Sequence, residues 1–241
     1  MPRTKEVREE FDRHADDYEF KRWFSQRGQW EHYRALYETL AFHLEGVRFT
    51  RCLEVGPGPG TWTRMLLQRA PEARFTLVDL SGEMLAEARR ALGERRNISY
   101  VQADYLDARL RPGYDFFFSS RAVEYMTDKR RFAERTFTLL KPGGRGLVVT
   151  KNPLLLTRRI EPFVGRRPSE VHCGRIAPQA LMEHFRDVGF SEVRAYPCTL
   201  NFPPGRKSFW LSRVLWKRFH KRELSSQWIW AVESYILEFV R

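Results

Sequence analysis

The chain has 241 residues, 42% of them hydrophobic and 14% aromatic, and a net charge of +12. These proportions fit one globular domain with elaborations, long enough to bury a sizeable core. No uninterrupted apolar run approaches the ~20 residues of a membrane-spanning helix. Met1 to Glu10 is charged and lacks the apolar middle of a signal peptide, so a soluble, cytoplasmic protein is expected. Cys52, Cys173 and Cys198 are scattered and show no C-x-x-C spacing. They predict neither a disulfide framework nor a zinc site, and no metal site is expected. The positive charge suits nucleic acid, anionic lipid or an acidic substrate alike.

Arg3 to Leu44 reads as helices, with Phe11, Ala15 and Tyr18 on one face and Tyr33, Leu36, Tyr37 and Leu40 on another. From Thr50 onward, apolar runs alternate with helical patterns, the signature of βα units on a parallel sheet. Arg51 to Val55 is the first strand, ended by Gly56-Pro57-Gly58-Pro59-Gly60, and a helix follows over Thr61 to Arg69. Arg74 to Asp79 is the second strand. Ser81 caps a helix through Ala91, with Glu83 in its first turn and Gly93 beyond its end. Ile98 to Gln102 is the third strand, and the nearly all-apolar Tyr114 to Ser119 is a fourth, covered on both faces.

A helix over Lys129 to Leu140 precedes a turn signal, Lys141-Pro142-Gly143-Gly144, and a fifth strand over Gly146 to Thr150. Asn152 to Cys173, rich in Pro, Arg and Gly, reads as an insertion over the sheet. Pro178 opens a helix ending at Gly189, and Ser191 to Tyr196 is a sixth strand. Ser208 to His220 has helical spacing. Ser234 to Val240 suits a helix or a strand, and the strand is favoured for its Tyr, Ile, Phe and Val content. The expected organisation is a helical lid over 1–48 and an α/β domain over 49–241. Within that domain lie an insertion at 152–177 and a basic amphipathic segment at 206–222.

The strongest chemical signal is Leu53-Glu54-Val55-Gly56-Pro57-Gly58-Pro59-Gly60-Thr61. Glycines after a first strand let the backbone approach a ligand and turn sharply into a helix. Thr61 breaks the dinucleotide pattern G-x-G-x-x-G. Glu54, two residues before the first glycine, suits a cationic ligand better than a pyrophosphate, and S-adenosylmethionine carries an ammonium and a sulfonium. Asp79, at the end of the second strand, is placed to accept both ribose hydroxyls of an adenosine. Asp104, just after the third strand, is placed to accept from an adenine amino group.

Leu53 to Thr63, Leu77-Val78-Asp79-Leu80-Ser81, Gln102-Ala103-Asp104 and Leu140-Lys141-Pro142-Gly143-Gly144 resemble the successive motifs of class I S-adenosylmethionine-dependent methyltransferases. The resemblance is strongest to the ubiquinone/menaquinone-biosynthesis type of small-molecule methyltransferase. Phe11-x-x-x-Ala15-x-x-Tyr18 resembles the N-terminal motif of that group, and the likeness extends to about Tyr196. It implies a Rossmann-like fold, a mostly parallel seven-stranded sheet flanked by helices under a helical N-terminal lid. It also implies that Glu54, Gly56, Gly58 and Gly60 hold the methionine end, Asp79 the ribose, and Leu80 packs on the adenine. Asp104 and Tyr105 would bind the adenine edge, Ser119, Ser120 and Arg121 line the floor beside the methyl donor, and Tyr18 cover it.

The chain departs from that family after the fourth strand. It has Glu124-Tyr125-Met126-Thr127-Asp128 where Glu-His-x-x-Asp is frequent, and Arg121 stands where a small or neutral residue is common. The Arg121 cation points either to an acidic group on the acceptor or to a pair with Glu124; the pair is preferred, because an unpaired buried guanidinium is costly. A general base is needed only for acceptors that lose a proton on attack. The candidates are His172, Glu124 and Tyr125, in that order; His172 titrates near neutral pH.

Arg206, Lys207, Arg213, Lys217, Arg218, Lys221 and Arg222 run without an intervening acid, interleaved with Phe209, Trp210, Leu211, Leu215, Trp216 and Phe219. The pattern fits a peripheral helix on an anionic membrane, a helix packed on the domain, or an RNA groove. The expected acceptor is a small molecule; the aromatic segments suit a hydrophobic or lipid-linked one. The rival readings are an RNA methyltransferase, although the chain lacks the Asn/Asp-Pro-Pro-Tyr/Phe after the fourth strand that is common among enzymes methylating exocyclic amines of nucleobases, and a non-catalytic S-adenosylmethionine-binding partner protein.

Overall fold

The computed structural model describes residues 4–156, 174–200 and 208–241, with the backbone alone for 208–212. Strands β1 (Arg51–Val55), β2 (Arg74–Asp79), β3 (Ile98–Gln102), β4 (Tyr114–Ser120), β5 (Leu140–Lys151), β6 (Ser191–Leu200) and β7 (Val232–Val240) form one sheet. Their order is β3-β2-β1-β4-β5-β7-β6. The first five strands are parallel, and β7 runs antiparallel between β5 and β6. The helices are α1 (Thr4–Arg13), α2 (Arg27–His43), α3 (Thr61–Arg69), α4 (Gly82–Leu92), α5 (Lys129–Leu139), α6 (Pro178–Val188) and α7 (Ser208–Phe219).

The run of three phenylalanines in β4 follows from its central place. Phe116 and Phe118 face a layer built with Leu36 and Leu40 of α2, Leu66 of α3 and Leu85 of α4. Phe117, on the alternate face, packs with Phe132 of α5 and Phe185 of α6. Period-two alternation thus gives both faces an apolar lining, as a strand covered by helices on each side requires. The helix starts are equally local. The Ser81 hydroxyl accepts from the N–H of Met84, a cap that contributes about 1 kcal/mol, while Gly189 ends α6 in the left-handed conformation.

The structure modifies three expectations. Lys141 to Gly144 is an excursion inside β5 instead of a turn before it: Tyr114 pairs with Leu140 and Phe116 with Arg145, so extra residues bulge from β5. Gly143 there takes φ +76, and its N–H donates to the Arg241 carbonyl. Strand β6 extends to Leu200, with Leu224 N–H donating to Ala195 O beside it. The N-terminal helix stops at Arg13, and Phe20 to Phe24 winds as one π-helical turn, so Phe11 and Tyr18 meet across a break, ring centroids 5.8 Å apart.

The basic segment is packed on the domain where it is described. Arg213 in α7 reaches Glu31 at 3.1 Å and Glu38 at 3.2 Å on α2. Trp216 is buried, its indole N–H donating to the Cys198 carbonyl. Lys217 and Arg218 face solvent. Arg213 and Trp216 thus pack the helix on the domain, while Val214 is exposed beside Lys217 and Arg218. Among the described residues no helix is long and apolar enough to cross a membrane. Arg206 and Lys207 lie outside the described residues, as do His172, Cys173 and most of the expected insertion at 152–177.

Candidate functional site

A cleft of about 1070 Å³, counted with its open mouth, lies at the C-terminal ends of β1, β2, β3 and β4. The connections from β1 and β4 leave in opposite directions along the sheet, which opens a crevice where α/β folds bind ligands. The glycine loop after β1 forms one wall. Gly56 takes φ +70, and a Cβ there would meet the Ala122 Cβ at 2.4 Å, so the loop and the segment after β4 touch through bare backbone. Gly58, at φ +53, faces open space in the cleft. Gly60 does not line the cleft; at φ +81 it starts α3.

Asp79 ends β2 half-buried against this loop. Its Oδ2 accepts from Gly58 N–H at 3.1 Å and its Oδ1 from Ser81 N–H at 3.0 Å. Burial lifts its carboxyl to about 6 against these bonds, which favour the ion. A carboxylate offers about four acceptor sites, so lone pairs remain for a ligand. Leu80 lines the cleft beside it. Asp104 closes the far wall, its Oδ1 held by Leu106 N–H at 2.9 Å and its Oδ2 by the Thr4 hydroxyl at 3.3 Å.

Glu54 is buried on β1 and does not line the cleft. Its Oε2 has no hydrogen-bond partner among the described residues. Burial raises its carboxyl to about 8, with the Thr63 hydroxyl opposing and Asp79 adding to the rise. Without a ligand the group is therefore a neutral acid near pH 7, and a cation placed beside it would favour its ionised form.

The N-terminal segment covers the cleft through polar ties. Asp12 accepts from the Ser81 hydroxyl at 2.5 Å, and Glu19 accepts from Thr61 at 2.7 Å and from Arg64. Tyr18 lines the cleft, its phenol pushed up by burial. The Phe11 ring meets Tyr125 edge-on at 5.1 Å.

Around the segment after β4 several expectations change. Ser119 points into the core, its hydroxyl donating to Val55 O, because alternation along β4 sends only Ser120 to the cleft. The Tyr105 side chain is also turned inward: its hydroxyl meets Thr136 at 3.0 Å and its ring packs on Phe117 and Phe132. Tyr105 is nevertheless among the residues lining the cleft wall, between Asp104 and Leu106. Arg121 lines the cleft with its backbone left-handed, φ +66, a conformation costing roughly 1–2 kcal/mol for a residue with a Cβ. Its Nη1 lies 3.3 Å from Glu124, the preferred pair.

Glu124 is spent as a base. It is buried, takes Arg121 and the Lys151 N–H on Oε1, and has Arg175 at 3.8 Å from Oε2. Tyr125 lines the cleft, but burial and then the Glu124 charge push its phenol far up, so it holds its proton at neutral pH. His172 lies outside the described residues. No group of His, Cys, Asp and Glu among the described residues is arranged to hold a metal.

Three residues at or beside the site escaped the sequence reading. Arg22 lines the cleft, four residues after Tyr18 and so on its helical side; that spacing was a usable signal. Trp62 also lines it, stacked with Tyr33 at 5.3 Å. Lys151, at the end of β5, carries no local signal at all.

Residues 52–144 match the family described as "Methyltransferase domain". The chain is 30% identical over 93 residues to malonyl-[acyl-carrier protein] O-methyltransferase 1 of Ilyobacter polytropus, covering 39% of this chain and 35% of that protein. It is 33% identical over 101 residues to trans-aconitate 2-methyltransferase of Escherichia coli, covering 42% and 38% respectively. The chain thus spans little more than a third of the length of these curated relatives. Over its whole length the methyltransferase fold is similar to N-methyltransferase NodS from Bradyrhizobium japonicum in complex with S-adenosyl-L-homocysteine. The TM-score is 0.65 at 15% identity, covering 98% of each chain. The seven-stranded sheet with antiparallel β7 is the class I methyltransferase fold.

Proposed function

We propose that this protein transfers a methyl group from S-adenosylmethionine to a small-molecule acceptor. The observation that carries the reading is the buried Glu54 carboxyl, one oxygen unpartnered, behind a glycine loop whose Gly58 is tied to Asp79. A cation on one side and a pair of hydroxyls on the other satisfy these groups, and S-adenosylmethionine has both.

In this reading Gly56 and Gly58 hold the methionine end with the Glu54 carboxyl behind them, Gly60 only turning the chain into α3; Asp79 holds the ribose hydroxyls, Leu80 and Asp104 the adenine. Ser120 and Arg121 line the floor, and Tyr18 with the helical lid over 1–48 excludes water. The bound cofactor supplies a methyl group on a sulfonium, a leaving group good enough for alignment to provide much of the acceleration. With Glu124 paired and Tyr125 protonated, the described residues of the site favour an acceptor that attacks without losing a proton. The relatives named for malonyl-[acyl-carrier protein] and trans-aconitate support an acceptor other than nucleic acid. The narrower likeness to the ubiquinone/menaquinone-biosynthesis type, and a hydrophobic or lipid-linked acceptor, are supported by the aromatic lid alone.

The test is incubation with methyl-labelled S-adenosylmethionine and separate lipid, small-molecule and RNA fractions, followed by mass spectrometry. Label in the small-molecule fraction is expected. Label confined to RNA, or cofactor binding without any labelled product, overturns the reading.

A further inference from the structure

Arg22, Arg121, Lys151 and Arg175 gather beside the segment after β4, with Glu124 and Glu233 as the carboxylates among them. Glu124 already serves Arg121 and Arg175. Glu233 faces His32 at 3.2 Å, and burial holds that imidazole towards its neutral form. Among the described residues neither Arg22 nor Lys151 has a carboxylate within ion-pair distance. Four cations therefore share two acids in a half-buried place, an imbalance that is costly unless a further anion arrives.

The cofactor's own carboxylate would account for one positive charge, and Arg22, on the N-terminal segment and lining the cleft, is placed to meet it. The rest lies on the acceptor side. Arg121 lines the cleft with its Nε unpartnered, and its left-handed backbone is kept although a glycine would relieve it. Lys151 is its neighbour, because the Lys151 N–H and Arg121 Nη1 meet the same Glu124 oxygen. Burial, with Arg121 adding to it, lowers the Lys151 ammonium to about 8, so it remains charged at neutral pH and gains from a bound anion.

Resting on the methyl-transfer reading above, we propose that the acceptor carries an anionic oxygen group, a carboxylate or a phosphate, held by Arg121 and Lys151. A carboxylate that is itself the methyl acceptor would need no base. The C–S bond breaks, an O–CH3 bond forms, and the sulfonium charge and the carboxylate charge cancel with no proton to remove.

The test begins with a small-molecule extract of the cells that make the protein, split by ion exchange into anionic, neutral and cationic pools. Each pool is incubated with enzyme and methyl-labelled S-adenosylmethionine. Label is expected from the anionic pool, and its loss after phosphatase treatment of that pool distinguishes a phosphate from a carboxylate. Label only from the neutral or cationic pool overturns the charge assignment. No label from any pool overturns methyl transfer itself. With the anionic substrate in hand, Lys151→Met should raise KM about tenfold or more, leave S-adenosylhomocysteine affinity within about twofold, and be rescued by Lys151→Arg. Weakened S-adenosylhomocysteine binding with unchanged acceptor KM overturns the assignment.

Discussion

Gly58 donates its backbone N–H to Asp79 at 3.1 Å, tying the glycine loop of β1 to the carboxylate that ends β2. With Ser81 N–H on the other oxygen, the carboxylate is fixed before any ligand arrives, and it keeps lone pairs free at the cleft. Asp79→Asn keeps the shape but exchanges one acceptor oxygen for an NH2 donor. Hydrogen bonds to a charged group contribute about 1.5–3 kcal/mol, so S-adenosylhomocysteine affinity should fall about ten- to hundredfold by calorimetry, with an unchanged circular dichroism spectrum.

Glu54 gives the binding a pH signature. Its carboxyl rises from 4.5 to about 8 on burial, so the folded apoprotein keeps a proton that the unfolded chain releases. On this group's account, apoprotein stability falls as pH rises between those values. A cation bound beside Glu54 lowers its pKa, so cofactor binding should release a proton and tighten as pH rises towards about 8. Asp79, lifted to about 6, contributes the same sign at lower pH. Calorimetry above about pH 7 in two buffers of different ionisation enthalpy measures the released proton; Glu54→Gln should abolish it.

The first two glycines of the loop should respond differently to a methyl group. Gly56→Ala places a Cβ 2.4 Å from that of Ala122 in a left-handed backbone, so loop and β4 segment must separate. Gly58→Ala meets nothing within 4 Å in the protein and projects into the cleft. Thermal melts should therefore show Gly56→Ala losing the larger share of apoprotein stability, and Gly58→Ala losing mainly cofactor affinity. Equal melting losses would show that backbone strain alone governs both.

Trp23 fastens the N-terminal segment to the domain. It is buried and meets Trp62 edge-on at 5.6 Å and Tyr33 at 5.8 Å. Trp23→Ala should cost about 3–5 kcal/mol by urea unfolding. If the segment also acts as the lid, bound S-adenosylhomocysteine should slow proteolysis within residues 1–48 in the parent protein and far less in the variant.

The polar groups at strand ends were legible because their signals are local. A glycine loop after an apolar run, an acid at the end of the next and another after the third place Gly58, Asp79 and Asp104 at one sheet edge as soon as the strands are parallel. The identity of the floor hydroxyl was not legible. In Ser119-Ser120 both residues follow a run apolar on both faces, so the composition of β4 hides its phase; only the neighbouring strands turn Ser119 to Val55 O and Ser120 to the cleft. Tyr105 likewise depended on Thr136, a partner on α5.

The sequence by itself determined the alternating α/β architecture, the strand favoured at 234–240 and the loop-and-acid pattern, since hydrophobic period and turn chemistry act over a few residues. Tertiary structure alone decided the pairing of β7 between β5 and β6. It alone set Arg213 against Glu31 and Glu38, about 180 residues earlier, which turns the described part of a basic helix into a packed one. It alone brought Arg22, Arg121 and Lys151 together. Charge acts through space over several ångströms, and its meaning depends on which distant acids the fold supplies.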